Sequence, residues 1–257
     1  MEIKKNPDKG QHFLVDKKIL NKEIKISEVS DKDRIIEIGA GDGKLTKEIV
    51  KNAYKVRGFE LDERYKNKLK ELEKEHKNLE IIYSDATKYS WKGFDKIVSN
   101  IPYYLGEKVI QKAVIDDVSF LTLIIGENFK EILEKQKSKS GIIANLFYDI
   151  EYIKKIEKEA FLPPPRVNSW LVRLVIKEKD KQLRIIKYLL GRRGKIKNAI
   201  IYGFVNEGYT KNQAREFLRK TEFQKKILET PTSKITGKRI LVLYKQLREF
   251  FGEKNCE

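Results

Sequence analysis

The chain is poor in the residues that build covalent or metal-held scaffolds. Cysteine occurs once, at Cys256, and histidine twice, at His12 and His76. One thiol cannot make a disulfide framework or a thiolate cluster, and two histidines argue against a zinc centre, so no metal is expected. No segment reaches the roughly 18 consecutive apolar residues of a membrane span. The opening residues, MEIKKNPDKGQHF, lack the apolar run of a secretory signal. Internal repeats and low-complexity tracts are missing as well. The expectation is a soluble, cytoplasmic protein with no membrane partner.

Charge, by contrast, is abundant and uneven. Of 257 residues, 40% are hydrophobic and 36% charged, a globular composition with room for one large domain and a small one. The net charge is +17, and residues 177–257 hold 21 lysines and arginines against 9 acids, while residues 1–176 hold 34 against 29. A short C-terminal region with most of the positive excess reads as a footprint for a polyanion. A lysine-rich solvated surface is the plain alternative. A membrane surface fits less well, because no helix pairs a broad apolar face with a basic one.

The first two-thirds alternates β-branched runs with helical patterns. Strands are expected at RIIEI (34–38), KVRGFE (55–60), LEIIY (79–83), DKIVS (95–99), LTLII (121–125) and WLVRLVI (170–176). The clearest helix is 62–76, with Leu69 and Leu72 at helical spacing and Asp62 able to cap its start. Such alternation predicts an α/β domain with a mostly parallel sheet. After FLPPPRVNS the strands give way to helical segments at 181–203, 210–219 and 233–251, the second opening at Thr210 and the third near Ser233. A boundary is expected near residue 177.

In an open parallel sheet, ligands bind beyond the carboxyl ends of the strands. Four such ends carry chemistry. The first is followed by GAGDGKLT, with Gly39, Gly41 and Gly43; the second ends on Glu60 in FELD; the third reaches Asp85 in SDA; the fourth reaches Asn100 in NIPYYL. Glycines let a backbone turn approach a ligand closely. The spacing departs from G-x-G-x-x-G, since position 44 is lysine, and no Gly-Lys-Ser/Thr marks a Walker loop. Glu60 stands where an acid reaches ribose hydroxyls, which suits any nucleoside ligand. Asp85 is then placed to accept from an exocyclic amine. A helix cap or a solvated loop is the bland alternative for each acid.

Asn100 and the carbonyl of Ile101 could aim two acceptors at the amino group of an adenine. That nitrogen is a poor nucleophile because its lone pair is delocalised into the ring. Pro102 stiffens the turn, and Tyr103 offers a flat face for a flipped-out base. The rate would then come from orientation and preorganised acceptors, without a strong base. The structural alternative is an Asn–Pro turn that merely closes a strand over packed tyrosines.

GAGDGKLT, FELD, SDA and NIPYYL, in this order, resemble the class I S-adenosylmethionine-dependent methyltransferases of the adenine-N6 type. KGQHFLVDKKIL and FLPPPRVNS resemble more narrowly the KsgA family of small-subunit rRNA adenine dimethyltransferases, and RRGKIKNAI (192–200) is similar to part of that family's helical domain. The resemblance covers about residues 6–200.

It implies a Rossmann-like catalytic domain with an N-terminal arm (1–177) and a basic helical rRNA-binding domain (178–257). It implies S-adenosylmethionine as methyl donor, with the Gly39–Gly41 turn at its methionine part. Glu60 would serve the ribose, Asp85 and Ala86 the adenine, and Leu61 would also belong to the donor site. Asn100 would belong to both the donor site and the catalytic set, and Gln11, His12 and Leu14 would close over the donor. Phe161 would sandwich the target base opposite Tyr103, although it could equally anchor its loop. Pro102, Tyr104, Arg192, Arg193, Lys195 and Lys197 would face RNA. The implied partner is 16S rRNA in the pre-30S subunit, and the implied state a monomer.

Residues 126–147 depart from the family pattern: GENFKEILEKQ and KSKSGIIANLF stand where a Gln-Lys/Arg-Glu helix and a Gly-Ser loop are usual. Two rivals remain. One is a large-subunit rRNA adenine methylase of the resistance type, disfavoured by GQHFL together with RRGKIKN. The other is a non-catalytic RNA-binding assembly factor, disfavoured by the intact strand-end residues.

Overall fold

The computed structural model describes residues 12–177 and 180–253. The chain runs β1 (Phe13–Leu14), α1 (Lys17–Ser27), β2 (Arg34–Ile38), α2 (Lys44–Ile49), β3 (Lys55–Phe59), α3 (Lys66–Glu75), β4 (Leu79–Ile82), β5 (Lys96–Asn100) and α4 (Gly106–Ile115). It continues through β6 (Phe120–Gly126), α5 (Glu127–Glu134), α6 (Lys139–Phe147), β7 (Tyr148–Ile156), β8 (Phe161–Leu162) and β9 (Ser169–Ile176). The end is helical: α7 (Lys181–Gly191), α8 (Ile196–Asn206), α9 (Lys211–Lys220), α10 (Lys225–Leu228) and α11 (Gly237–Glu253).

Seven strands form one sheet in the order β4-β3-β2-β5-β6-β9-β7. The first five are parallel, whereas β9 runs antiparallel to β6 and β7 antiparallel to β9. The central strands are covered on both faces, which is why RIIEI and KIVS read as near-continuous apolar runs: Ile35, Ile36, Ile97 and Val98 are fully buried. Strand order reverses between β2 and β5. At such a reversal the connections leave in opposite directions and open a crevice at the strands' carboxyl ends.

The six strands expected from sequence are present to within one residue at each end. Strand β7, YDIEYIKKI, was not expected. It lies at the sheet edge with a bulge between Tyr152 and Lys154, and its charged residues blur the alternation. The helix expected over 181–203 is two helices, broken by an extended stretch where Gly194 takes a φ of +123°. Asp62 caps a 3-10 turn, Glu63–Tyr65, that leads into α3. Thr210 opens α9 through a reciprocal capping box with Gln213. A further 3-10 turn, Thr232–Lys234, precedes α11.

The C-terminal helices do not stand apart from the sheet's apolar interior. A single cluster joins Ile36, Ile97 and Leu121 of the sheet to Val109 of α4, then to Leu189, Ile200, Phe204 and Leu247. A second cluster, with Ile49, Leu69 and Val98, fills the other face. The position expected for the domain boundary falls between β9 and α7.

Candidate active site

At the crevice, the turn after β2 holds Gly39, Gly41 and Gly43 at φ values of +82°, +53° and +78°, a left-handed region in which other side chains are strained. Gly41 is also a packing requirement: a Cβ there would sit 2.6 Å from the Phe13 ring. Strand β1 holds that ring in place by pairing with β8, Phe13 opposite Leu162 and Leu14 opposite Phe161. The N-terminal arm thereby lies over the glycine turn.

Glu60, just past β3, is almost buried. Its Oε2 accepts from the Gly41 amide at 2.7 Å, and its Oε1 accepts from the amides of Leu61 and Asp62 at 2.8 and 2.7 Å. Burial raises the pKa of this carboxyl, with the three amides opposing. Asp85 caps the 3-10 turn Ala86–Lys88, its Oδ1 accepting from the Thr87 amide at 2.9 Å and hydroxyl at 2.8 Å. Partial burial acts upward on Asp85, but these bonds and the charges of Lys88 and Lys108 hold its pKa below the usual value. The Ala86 carbonyl accepts from the Trp91 indole at 3.0 Å, which fixes the backbone beside Asp85.

Asn100 is the last residue of β5, and its Nδ2 donates to the His12 carbonyl at 3.2 Å. This bond assigns the two ends of the amide: the nitrogen faces the arm, and Oδ1 is left as an acceptor with no partner among the described residues. Pro102 lies against the glycine turn, within 3.7 Å of where a Gly39 Cβ would stand. The amide turn and the glycine turn therefore border one space.

That space is a cavity of about 510 Å³. Gly39, Gly41, Glu60, Asp85 and Asn100 line it, as do His12, Leu14, Ala86 and Pro102. Leu61 and Tyr104, both largely exposed, stand on its wall as apolar side chains facing water. The volume falls within the usual range for small-molecule sites.

Two expected residues lie elsewhere. Phe161 is 2% exposed and packs with Ile19, Ile124, Ile156 and Leu171. Pairing of β8 with β1 turns the ring inward, so in this arrangement it anchors its loop rather than presenting a face opposite Tyr103. Tyr103 is half-buried and is not part of the cavity wall: its hydroxyl bonds Ser169 Oγ at 2.6 Å, and its ring lies 6.0 Å from the His12 ring at an interplanar angle of 26°. Gly126 makes room for it, since a Cβ there would meet the Tyr103 ring at 3.1 Å. Burial raises the pKa of this hydroxyl, and the Ser169 bond opposes the rise. His12 Nδ1 is bound to the Pro163 carbonyl at 2.9 Å. Gln11 lies outside the described residues.

The basic residues lie on the C-terminal helices. Arg192, Arg193 and Lys195 are exposed between α7 and α8, and Lys197 is half-buried at the start of α8. The Arg192 guanidinium lies 4.1 Å from the centroid of the Tyr202 ring. Glu229 pairs with Lys195 at 2.8 Å and also with Lys197.

Sequence reasoning passed over the cavity's inner wall. Phe13, Leu20, Glu23, Glu37 and Tyr65 all line it. A signal for Glu23 was present, because Ile19, Glu23 and Ser27 recur at every fourth position of α1 and form its buried face. An acid there breaks the apolar stripe.

A strand-order reversal, a glycine turn and an acid at the next strand end are the features of class I methyltransferases, and the solved structures that this fold matches include such enzymes. A dimethyladenosine transferase from Plasmodium falciparum superposes with a TM-score of 0.63 at 24% identity, covering 93% of this chain and 98% of the other. The 23S rRNA methyltransferase ErmE gives a TM-score of 0.61 at 19% identity, covering 91% and 99%.

Sequence comparison narrows the class. Residues 2–235 match the family described as Ribosomal RNA adenine dimethylase, and the chain belongs to that family. A relative from Methanococcus maripaludis strain C7, described as a probable ribosomal RNA small subunit methyltransferase A, is 36% identical over 245 residues, 88% of this chain and 93% of the relative. A relative of the same description from Pyrococcus abyssi is 34% identical over 203 residues, 76% of this chain and 74% of its own length. The protein is thus an rRNA methyltransferase of a family whose donor is S-adenosylmethionine. No described helix is long and apolar enough to cross a membrane.

Proposed function

We propose that this chain methylates the N6 amino groups of two adjacent adenosines near the 3′ end of 16S rRNA, within a precursor of the small subunit. The observation that carries the reading is the shared cavity: Asn100, oriented by the His12 carbonyl, opens onto the same space as Glu60 and the glycine turn. The residues suit S-adenosylmethionine. The glycine turn would hold its methionine part. Glu60 would take a ribose hydroxyl, because a carboxylate offers about four acceptor positions and backbone amides fill three. Asp85 would use its Oδ2, which has no partner among the described residues, for the adenine amine, while Leu61 and Tyr104 would cover the base. When bound, this group supplies a methyl on a sulfonium leaving group.

The chain's own part in the chemistry is orientation. Asn100 Oδ1 and the Ile101 carbonyl would accept from the two N–H bonds of the target amine, drawing its lone pair out of the ring and toward the methyl. Pro102 would hold those acceptors at a fixed distance from the glycine turn. Tyr103 would supply the stacking face once its ring is freed from His12. We further propose that residues up to 177 form the catalytic unit and that the helices after it form the basic RNA-binding unit. Arg192, Arg193, Lys195 and Lys197 would neutralise phosphates, giving affinity rather than base choice.

The test is to incubate the enzyme and labelled S-adenosylmethionine with immature small subunits or with large subunits, followed by mass spectrometry of the rRNA nucleosides. Dimethyladenosine on small subunits is expected. Product on large subunits alone would overturn the substrate assignment.

A further inference from the structure

The helices after β9 leave few large apolar side chains in water. Among their described residues these are Tyr202 and Val205, 39% and 42% exposed. Both belong to α8, three positions apart and therefore on one face. A single exposed apolar residue is ordinary, but this pair is bordered by the basic stretch from Arg192 to Lys197.

The Arg192 guanidinium stands over the Tyr202 ring, 4.1 Å from its centroid, and Tyr188 meets the same ring edge-on, with centroids 5.5 Å apart at 80°. Backbone bonds hold the arginine's segment from within. The Arg192 amide donates to the Tyr188 carbonyl at 3.1 Å, the Thr232 hydroxyl to the Arg192 carbonyl at 2.6 Å, and the Thr232 amide to the Gly194 carbonyl at 2.8 Å. One side of the guanidinium is thus covered by a ring, while the residue stays exposed on the other. The neighbouring cations are already paired: Arg184 with Glu207, Lys187 with Asp117, and Lys195 and Lys197 with Glu229. Arg192 and Arg193 have no acidic partner among the described residues.

This patch is remote from Asn100. Helix α4 starts just after the Asn100 turn and ends at Ile115, whose side chain would lie 3.3 Å from a Cβ at Gly191. Its 10 residues span about 15 Å, so Arg192 stands about one helix length from that turn.

We propose that Arg192 and Tyr202 form a stacking platform for an unpaired RNA base, separate from the two adenosines presented at Asn100. The base lies on the outer face of the guanidinium with the Tyr202 ring beneath, Val205 flanks it, and Arg193 takes its phosphate. Guanidinium planes and aromatic rings are the surfaces on which splayed RNA bases stack. A base inside a duplex has both faces covered by its neighbours, so the platform selects a loop or bulge. Stacking accepts any base, so what is recognised is where an unpaired nucleotide stands relative to the target. The occupant is RNA rather than protein, because residues 177–257 hold 21 lysines and arginines against 9 acids and both arginines of the patch lack an acidic partner. This inference goes beyond the phosphate contacts proposed above and rests on the reading of these helices as RNA-facing.

Filter binding of the full-length enzyme to immature small subunits, across a salt series, tests it. Tyr202→Ala and Arg192→Lys are each expected to weaken binding about tenfold, the scale of one lost base stack. The salt slope should stay unchanged in both, because neither alters the charge. Tyr202→Phe keeps the ring and should bind like wild type. Ultraviolet cross-linking of the wild-type complex, with mass spectrometry of the peptide that holds Tyr202, should find an unpaired nucleotide other than the two adenosines.

If Tyr202→Ala and Arg192→Lys bind as tightly as wild type, Arg192 is a point charge for phosphate and the inference is overturned. A cross-link from this peptide confined to the two adenosines, or to paired nucleotides, would overturn it even if a variant fails to fold. Binding to large subunits alone would overturn the substrate assignment, and the same variants on that particle would still decide the platform. A wild-type protein that binds neither particle would bring down the RNA-facing reading, and this inference with it.

Discussion

The two ends of the cavity are built on opposite terms. At the glycine turn the polar groups already converge: three backbone amides fix Glu60, and two buried acids, Glu23 and Glu37, lie behind them. Beyond the other end, outside the cavity wall, the aromatic residues are engaged with the protein itself. Tyr103 is tied to Ser169 and lies over His12, and Phe161 is part of the apolar interior. On the proposed reading, the donor end would be preorganised for a small charged ligand, which lowers the cost of ordering on binding. The base end would be closed on itself, so a nucleobase would have to displace protein contacts to enter. An enzyme that binds its donor readily and its RNA only in the right context would have this asymmetry.

Asn100→Ala gives the sharpest way to break this comparison. It should lower methyl transfer by about a hundredfold or more, the scale of losing one preorganised group at a developing charge, while calorimetry finds donor affinity changed far less. Undiminished transfer would show that the acceptors at this end are not the chemical apparatus.

Phe161→Ala comes next. If the ring acts as an anchor, the loss is about 3–5 kcal/mol of stability from a core cavity, read by denaturant melts. Turnover per folded molecule should then fall little at low temperature. A variant of wild-type stability with lost turnover would return Phe161 to the base-binding role.

A smaller effect separates the ends by pH. The carboxyls of Glu23 and Glu37 have folded values of about 8 against an ordinary 4.5, so the folded state binds the extra protons. Their stabilising contribution is complete below about pH 4.5 and is lost as pH rises through about 8, at about 1.4 kcal/mol per pH unit for each fully titrating group. Melts of the unliganded protein should therefore fall in midpoint across this window. Glu23→Gln should flatten the decline and raise the midpoint at alkaline pH; an unchanged pH profile would refute the burial assignment.

The least effect is expected outside the cavity. Glu229 is held at about 2 by its bonds to Lys195 and Lys197, so it stays ionised and its single charge partly offsets two of the cations expected to face RNA. Glu229→Gln should tighten rRNA binding and steepen its salt dependence modestly, and Arg193→Ala should do the reverse. Filter binding across a salt series would measure both.

Local pattern accounts for most of what was legible in advance. Buried parallel strands must be apolar along their length, so RIIEI and KIVS declared themselves, and the residues that follow such strands could be ranked by their end position alone. Glu60, Asp85 and Asn100 were singled out this way, and all three line the cavity. The same logic failed for β7, whose edge position leaves one side to water and admits Asp149, Glu151, Lys154 and Lys155. Nor did the motif show that Phe161, expected opposite Tyr103, would be turned into the core by the β1–β8 pairing.

The sequence by itself determined the strand–helix alternation, the glycine turn and the acids at the strand ends, because each follows from short-range sterics and periodicity. Only the tertiary structure decided that Asn100 points its nitrogen at the His12 carbonyl, that Phe13 closes over Gly41, and that Glu23 and Glu37 share the floor of one cavity. Those contacts join residues distant along the chain, and their energies depend on burial and on what is absent nearby. Neither can be read until the chain has folded back on itself.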